Sequence, residues 1–189
     1  SDQDNGLIFE AADGEDVEAL RQRFLPWAQR VNDLLDTCGF DRCAGGIMAG
    51  NPAWCLSLEE WRARFLNWML SADPDALLNS TIFFDLRPLA GDWALADRLQ
   101  DWLLARTADN ALFLRHMAEN ALRGGPPLGR IRDFTVDRKT GRFDLKRDGS
   151  RPFVDAGRIY ALALGVRETS TAARLREETY QLGEHARSE

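Results

Sequence analysis

Histidine is nearly absent: His116 and His185 are the only two in 189 residues. Histidine-rich metal sites and paired acid–base histidines are therefore excluded, and any chemistry has to rest on carboxylates, basic side chains or a metal held by oxygen ligands. His116 falls inside a helical pattern and His185 near a charged end, so both read as structural. Cysteine is scarce as well. Cys38, Cys43 and Cys55 form an odd set without CxxC spacing, which reads as reduced, mostly buried thiols and not as a zinc or disulfide framework. No run approaches the roughly 18 apolar residues of a membrane span, and no basic start followed by an apolar stretch marks a leader, so no membrane partner and a cytoplasmic location are expected. Positive charge is not in excess either. A net charge of −6 and a pI near 5.1 argue against a DNA-binding protein, which needs a concentrated basic face, but leave room for a nucleotide site built from a few local charges.

What is present is the composition of a globular chain, 44% hydrophobic and 29% charged, long enough for one solid core or a core plus a partial second unit. Leu7-Ile8-Phe9 predicts a short strand entered from a polar run. From Glu15 to about Cys38 the apolar residues Val17, Leu20, Phe24, Leu25, Trp27, Val31, Leu34 and Leu35 recur at helical spacing, with Asp13-Gly14 opening the helix and Gly39 closing it. Pro26 predicts a kink or break within it. Gly45-Gly46-Ile47-Met48-Ala49-Gly50 suits a second short strand bounded by turns. Ser57-Leu58-Glu59-Glu60 has the form of a capping box, starting a helix with Leu58, Trp61, Phe65, Trp68 and Met69 on one face.

A second helix start at Asp73-Pro74 leads through Leu77, Leu78, Ile82 and Phe83, and a third at Gly91-Asp92 opens a long pattern that breaks near Thr107-Ala108-Asp109 and resumes to Arg123. Short connections between these segments predict an antiparallel bundle. After Gly124-Gly125-Pro126-Pro127, the alternation on either side of Arg138-Lys139-Thr140-Gly141 predicts a β-hairpin, followed by helices over Pro152–Gly165 and Ser170 to about His185. Trp27, Trp61, Trp68, Trp93 and Trp102 read as core anchors.

The sharpest chemical feature is Asp2-Gln3-Asp4 ahead of the first strand. On an extended backbone residues i and i+2 project to the same face, so the two carboxylates converge and offer oxygen ligands that suit magnesium. A short D-x-D is common by chance, and a solvated acidic tail is the other reading. Asp85, Arg87 and Asp92 sit among apolar residues, where charge is costly unless paired. Two readings fit them: an Asp85–Arg87 or Arg87–Asp92 structural pair, or a cleft wall facing a ligand. Asn51 and Trp54 follow the glycine run, where a loop can line a pocket or a tryptophan can plug a join. Asp155 and Arg158, three apart, can pair on one helix face. The basic residues Arg138, Lys139, Arg142, Lys146 and Arg147 read as a solvated turn or a contact for an acidic protein partner or a nucleotide.

Four segments in order, Ser1–Phe9, Gly45–Trp54, Ile82–Asp92 and Arg151–Gly165, resemble a bacterial nucleotidyltransferase family that is similar to the PII uridylyltransferases. Its members are often joined to CBS and cyclic-nucleotide-binding modules, and the resemblance extends from Ser1 to Leu175. It implies an α+β, predominantly α chain: a remnant of a polymerase-β-like nucleotidyltransferase unit over residues 1–55, then a helical-bundle substrate-binding domain over 56–189 with one β-hairpin near 133–146. It implies a nucleoside triphosphate as substrate and Mg²⁺ as cofactor, with Asp2 and Asp4 as catalytic metal ligands and Asn51, Asp85 and Arg87 facing the nucleotide. A protein or small molecule would be the acceptor.

The family's Gly-Ser phosphate cradle should lie upstream of the D-x-D, outside this sequence, and Gly45-Gly46-Ile47-Met48 stands where many relatives supply a third carboxylate. Asp85 is the nearest alternative acid. The chain, opening on Ser1 and not Met, is accordingly expected to be part of a longer signalling protein and to be inactive alone. The alternative is a catalytically inactive nucleotide-sensing or protein-interaction module. Leu175 and Leu182, on an otherwise charged terminal helix, raise the possibility of a homodimer.

Overall fold

The computed structural model describes residues 2–71, 81–122 and 145–188, with the backbone alone at 146–148 and 182–188. It is α+β and predominantly helical, with a two-stranded parallel sheet. The chain divides into two compact units, one formed by Ser1–Leu66 and Pro88–Leu99, the other by Asn67–Arg87 and Gln100–Glu189.

In the first unit, strand β1 (Leu7–Phe9) pairs in parallel with β2 (Cys55–Ser57), in the register Leu7 to Cys55, Ile8 to Leu56 and Phe9 to Ser57. Parallel strands need a long crossover, and helix α1 (Val17–Thr37) supplies it. The second strand is thus not the glycine run, which forms turns. Cys55, Leu56 and Ser57 are buried, and that burial outweighs their weak β signal. Helix α1 starts at Asp16, whose carboxylate accepts from the backbone N–H groups of Glu18 and Ala19, so Asp13-Gly14 forms the preceding turn and not the cap. The helix continues through Pro26 without a break.

Helix α1 buries Leu20, Leu25, Ala28 and Asn32. Leu20 and Leu25 share a core with Phe9 and Cys55, and the rings of Phe9 and Phe24 lie 5.4 Å apart. Trp27 and Leu34 lie on the opposite, exposed face. Trp27 and Trp93 are therefore not core anchors: helical spacing identifies an apolar stripe without saying which stripe faces inward. Of the thiols, only Cys55 is buried. Cys43 is half-buried and Cys38 exposed, and burial pushes the Cys55 thiol pKa up.

Helix α2 (Leu58–Leu70) begins with the expected capping box: the Ser57 N–H donates to Glu60 Oε2 at 2.8 Å, and the Glu60 N–H donates to Ser57 Oγ at 3.3 Å. Leu58, Trp61, Phe65, Trp68 and Met69 are all buried, as their spacing requires. Trp61 Nε1 donates to the Leu7 carbonyl at 3.0 Å and ties α2 to β1.

The second unit continues through a helical turn at 81–83. Helix α3 (Trp93–Ala108) enters this unit at Gln100 and is followed by α4 (Ala111–Leu122), with the break near Asp109 where the sequence places it. Helices α5 (Arg151–Leu164) and α6 (Thr171–Ser188) complete it, with α5 packed on α4 and α6. Phe84 stacks toward Phe113 at 5.5 Å, and the buried Thr107 hydroxyl donates to the Leu103 carbonyl at 3.1 Å. The helix start at Asp73-Pro74 and nearly all of the hairpin near 133–146, with its basic turn, lie outside the described residues. Leu145 and Lys146, at the end of the expected hairpin, instead begin a wide helical turn, Leu145–Ser150. Among the described residues no helix is long and apolar enough to cross a membrane.

Candidate functional site

The four residues Asp2-Gln3-Asp4-Asn5 alternate strictly. Asp2 and Asp4 are exposed, Gln3 is buried and Asn5 is half-buried, as an extended backbone dictates. Gln3 Nε2 donates to the carbonyls of Asn32 (3.0 Å) and Phe40 (2.8 Å). Asn32 Nδ2 donates to Gln3 Oε1 (2.8 Å) and Asn5 Oδ1 (3.0 Å). Backbone bonds lie alongside, from the Gln3 N–H to the Asp41 carbonyl (2.8 Å) and from the Asn5 N–H to the Ile47 carbonyl (3.1 Å). The outward carboxylates make no hydrogen bond or ion pair among the described residues.

Two exposed carboxylates on one side of a fixed extended segment, without a partner among the described residues, are a donor set that fits a hard divalent cation such as Mg²⁺, which is commonly held by one or two carboxylates and by phosphate oxygens. Among the described residues no group of three or more His, Cys, Asp or Glu side chains could share a metal ion.

The glycine turn is tied to the same amides. The Ala49 N–H donates to Asn5 Oδ1 and the Gly50 N–H to Asn32 Oδ1, each at 2.8 Å. Asn51 is occupied locally: its Oδ1 accepts from the Ala53 N–H and its Nδ2 donates to the Gly46 carbonyl, each at 3.0 Å, capping the single helical turn Pro52–Trp54. Trp54 is buried and stacks on Trp61 at 6.2 Å, with the Arg64 guanidinium 5.3 Å from its ring.

Neither expected pair forms: Asp85 does not meet Arg87 and Arg87 does not meet Asp92, and Asp85 lies instead in the second unit's arginine cluster. It accepts from Arg158 through Nη2 at 2.7 Å and Nε at 3.2 Å, and it also accepts from Arg174. Arg158 Nη1 donates to Asp155 at 3.0 Å, the expected i, i+3 pair. Burial pushes the Asp85 pKa up, but the hydrogen bonds and charges of Arg158 and Arg174 outweigh it and hold the carboxyl below its ordinary value. Arg87 is exposed, and Asp92 accepts from the Ala94 N–H at the start of α3. Sequence reasoning missed Arg174 and Glu178, both buried on α6, and the amides Gln3, Asn5 and Asn32. A signal existed for Asn32, a polar residue in the middle of the apolar stripe of α1.

Residues 1–75 match the family described as "Putative nucleotidyltransferase DUF294", and residues 111–183 match its "Putative nucleotidyltransferase substrate binding domain". The chain belongs to this nucleotidyltransferase family. No curated protein and no solved structure matches it. The D-x-D, its amide anchors and Asn51 fall within the nucleotidyltransferase match. Asp155, Arg158, Arg174 and Glu178 fall within the substrate-binding match, and Asp85 and Arg87 lie between the two.

Proposed function

We propose that the chain serves Mg²⁺-dependent nucleotidyl transfer of the PII-uridylyltransferase-like type in a signalling protein, with residues 1–55 as part of the transferase unit and residues 56–189 as the substrate-binding domain. The observation that carries this reading is the pair of exposed, same-side carboxylates Asp2 and Asp4 on an extended segment ahead of β1 that is fixed from behind by buried amides. Asp2 and Asp4 are the residues that would hold a divalent cation, which would supply positive charge against the triphosphate of the nucleotide. The acceptor's nucleophilic oxygen then forms a bond to the α-phosphorus, the bond to pyrophosphate breaks, and the acceptor gives up its proton. Asn51 shapes the turn beside the carboxylates, since both ends of its amide are spent locally. Asp85 organises the substrate-binding domain through its two arginines, which leaves the exposed Arg87 to meet an anionic ligand.

The test is calorimetric titration of UTP and ATP, each with Mg²⁺, into the chain alone and into the chain joined to the family's upstream Gly-Ser segment, with Asp2→Ala/Asp4→Ala as control. Metal-dependent binding that the control loses supports the transferase reading. Nucleotide binding without turnover, whatever acceptor is offered, points to the nucleotide-sensing alternative. No binding by the joined protein removes both readings.

A further inference from the structure

We infer that Asn32, on helix α1, is the positioning residue that fixes the Asp2 and Asp4 carboxylates for a divalent cation. The inference rests on the metal-binding reading of those carboxylates proposed above. One amide grips both inward members of the Asp2-Gln3-Asp4-Asn5 alternation, because Asn32 Nδ2 donates to Gln3 Oε1 and to Asn5 Oδ1. The main-chain carbonyl of the same residue accepts from Gln3 Nε2, so Gln3 is held at both ends of its amide. Asn32 Oδ1 accepts from the Gly50 N–H, so the glycine turn is locked to the same point. Every donor and acceptor of the Asn32 side chain is used, as is every donor of Gln3, and the cluster has no second arrangement of equal satisfaction.

The choice of residue has a cost. Asn32 is 4% exposed in the buried stripe of a helix, where asparagine is a poor helix former and a leucine would add apolar burial to the core. The extended segment bearing Asp2 and Asp4 would have lost its grip with such a residue. A polar group kept at the expense of core packing, directly behind two exposed carboxylates, is what a ligand-positioning shell requires: metal-bound carboxylates depend on the groups that orient them, and losing such a group typically weakens metal affinity about 10- to 100-fold.

The test is titration of Mn²⁺ alone into the chain, followed by the electron paramagnetic resonance of free Mn²⁺, with thermal unfolding recorded in parallel. Asn32→Ala is expected to weaken Mn²⁺ binding at least tenfold while α1 stays folded. Asn5→Ser, a milder change at a half-buried position, is expected to weaken it in the same direction and decides the matter if Asn32→Ala does not fold. Ser57→Ala, which loosens the same unit at the other end of the β1–β2 pair, is expected to lower stability and leave Mn²⁺ affinity unchanged. Folded Asn32→Ala or Asn5→Ser protein that binds Mn²⁺ like the parent overturns the inference, and so does an equal loss in Ser57→Ala. If the parent chain takes up no Mn²⁺, or Asp2→Ala/Asp4→Ala takes it up undiminished, the metal-binding reading itself fails and the inference falls with it.

Discussion

Arg158 Nη2 donates to Asp85 Oδ2 at 2.7 Å between residues 73 positions apart, and this bond joins α5 to the segment that follows the helical turn at 81–83. Arg174 donates to the other oxygen of the same carboxylate, and Asp155 takes the remaining reach of Arg158. Two guanidiniums buried in one helical unit are tolerable only because two carboxylates meet them.

Asp85→Ala is expected to destabilise the second unit by about 3 kcal/mol, because it leaves the buried Arg174 without a carboxylate and Arg158 with Asp155 alone. Asp155→Ala should cost clearly less, since Arg158 keeps Asp85. The sign of the pH dependence follows from the direction of the shift. The folded pKa of Asp85 lies below its ordinary value, so the stabilisation is fully present above that ordinary value and is lost as pH falls through the folded one. Urea unfolding of parent and Asp85→Ala protein should therefore converge at strongly acidic pH and separate toward neutrality.

Glu178 has the opposite sign. It is buried on α6, Oε1 has no hydrogen-bond partner, and burial raises its pKa against the pull of Arg174. A carboxyl with a raised folded pKa favours folding at low pH, and that contribution disappears as pH rises through the folded value. Glu178→Gln removes the penalty of burying a charge. It is expected to raise stability at pH 7.5 by about 1 kcal/mol, roughly 2–4 °C in melting temperature for a chain of this size, and to have no effect near pH 4. Calorimetric melts at the two pH values check it.

The capping box makes a third case. Ser57→Ala leaves the Glu60 N–H without its side-chain acceptor and is expected to cost about 1 kcal/mol, measurable by urea unfolding. Glu60→Gln should cost more than the cap alone. Its carboxylate also pairs with Arg21, whose Nε donates to the Cys55 carbonyl at 2.9 Å, so the change loosens α1 from β2 as well as α2 from its start.

Elements fixed by local chemistry were legible in the sequence. The Ser57–Glu60 box, the buried face of α2 and the break at Asp109 each depend on residues within a turn or two of one another. The family resemblance was legible too, in the order of its motifs. What was not legible depends on partners distant in sequence. Cys55–Ser57 becomes a strand because β1 lies beside it, and Asp85 finds Arg158 and Arg174 and not its neighbour Arg87. The D-x-D carboxylates could be read as co-facial from strand period alone, but the amides behind them could not, since Gln3 and Asn32 meet across 29 positions.

The glycine turn gives the last prediction, and it separates lack of room from backbone strain. At Gly50 an added Cβ would lie 2.9 Å from both Cα and Cγ of Gln29 and 3.0 Å from Asn32 Oδ1, so the turn would have to leave α1 and give up the Gly50 N–H bond to Asn32. Gly50→Ala is therefore expected to cost about 1–3 kcal/mol, the range for overpacking a filled site, and to weaken the hold on the extended D-x-D segment. Gly14 is the comparison. Its φ of +82° disfavours a side chain, but nothing lies within 4 Å of the new Cβ, so Gly14→Ala carries only a conformational cost of about 1 kcal/mol. Hydrogen exchange distinguishes the two: protection of the Asn5 and Ala49 amides should fall in Gly50→Ala protein and remain at the parental level in Gly14→Ala. Equal protection in both variants would mean that the glycine turn and the carboxylate-bearing segment are not coupled through Asn32.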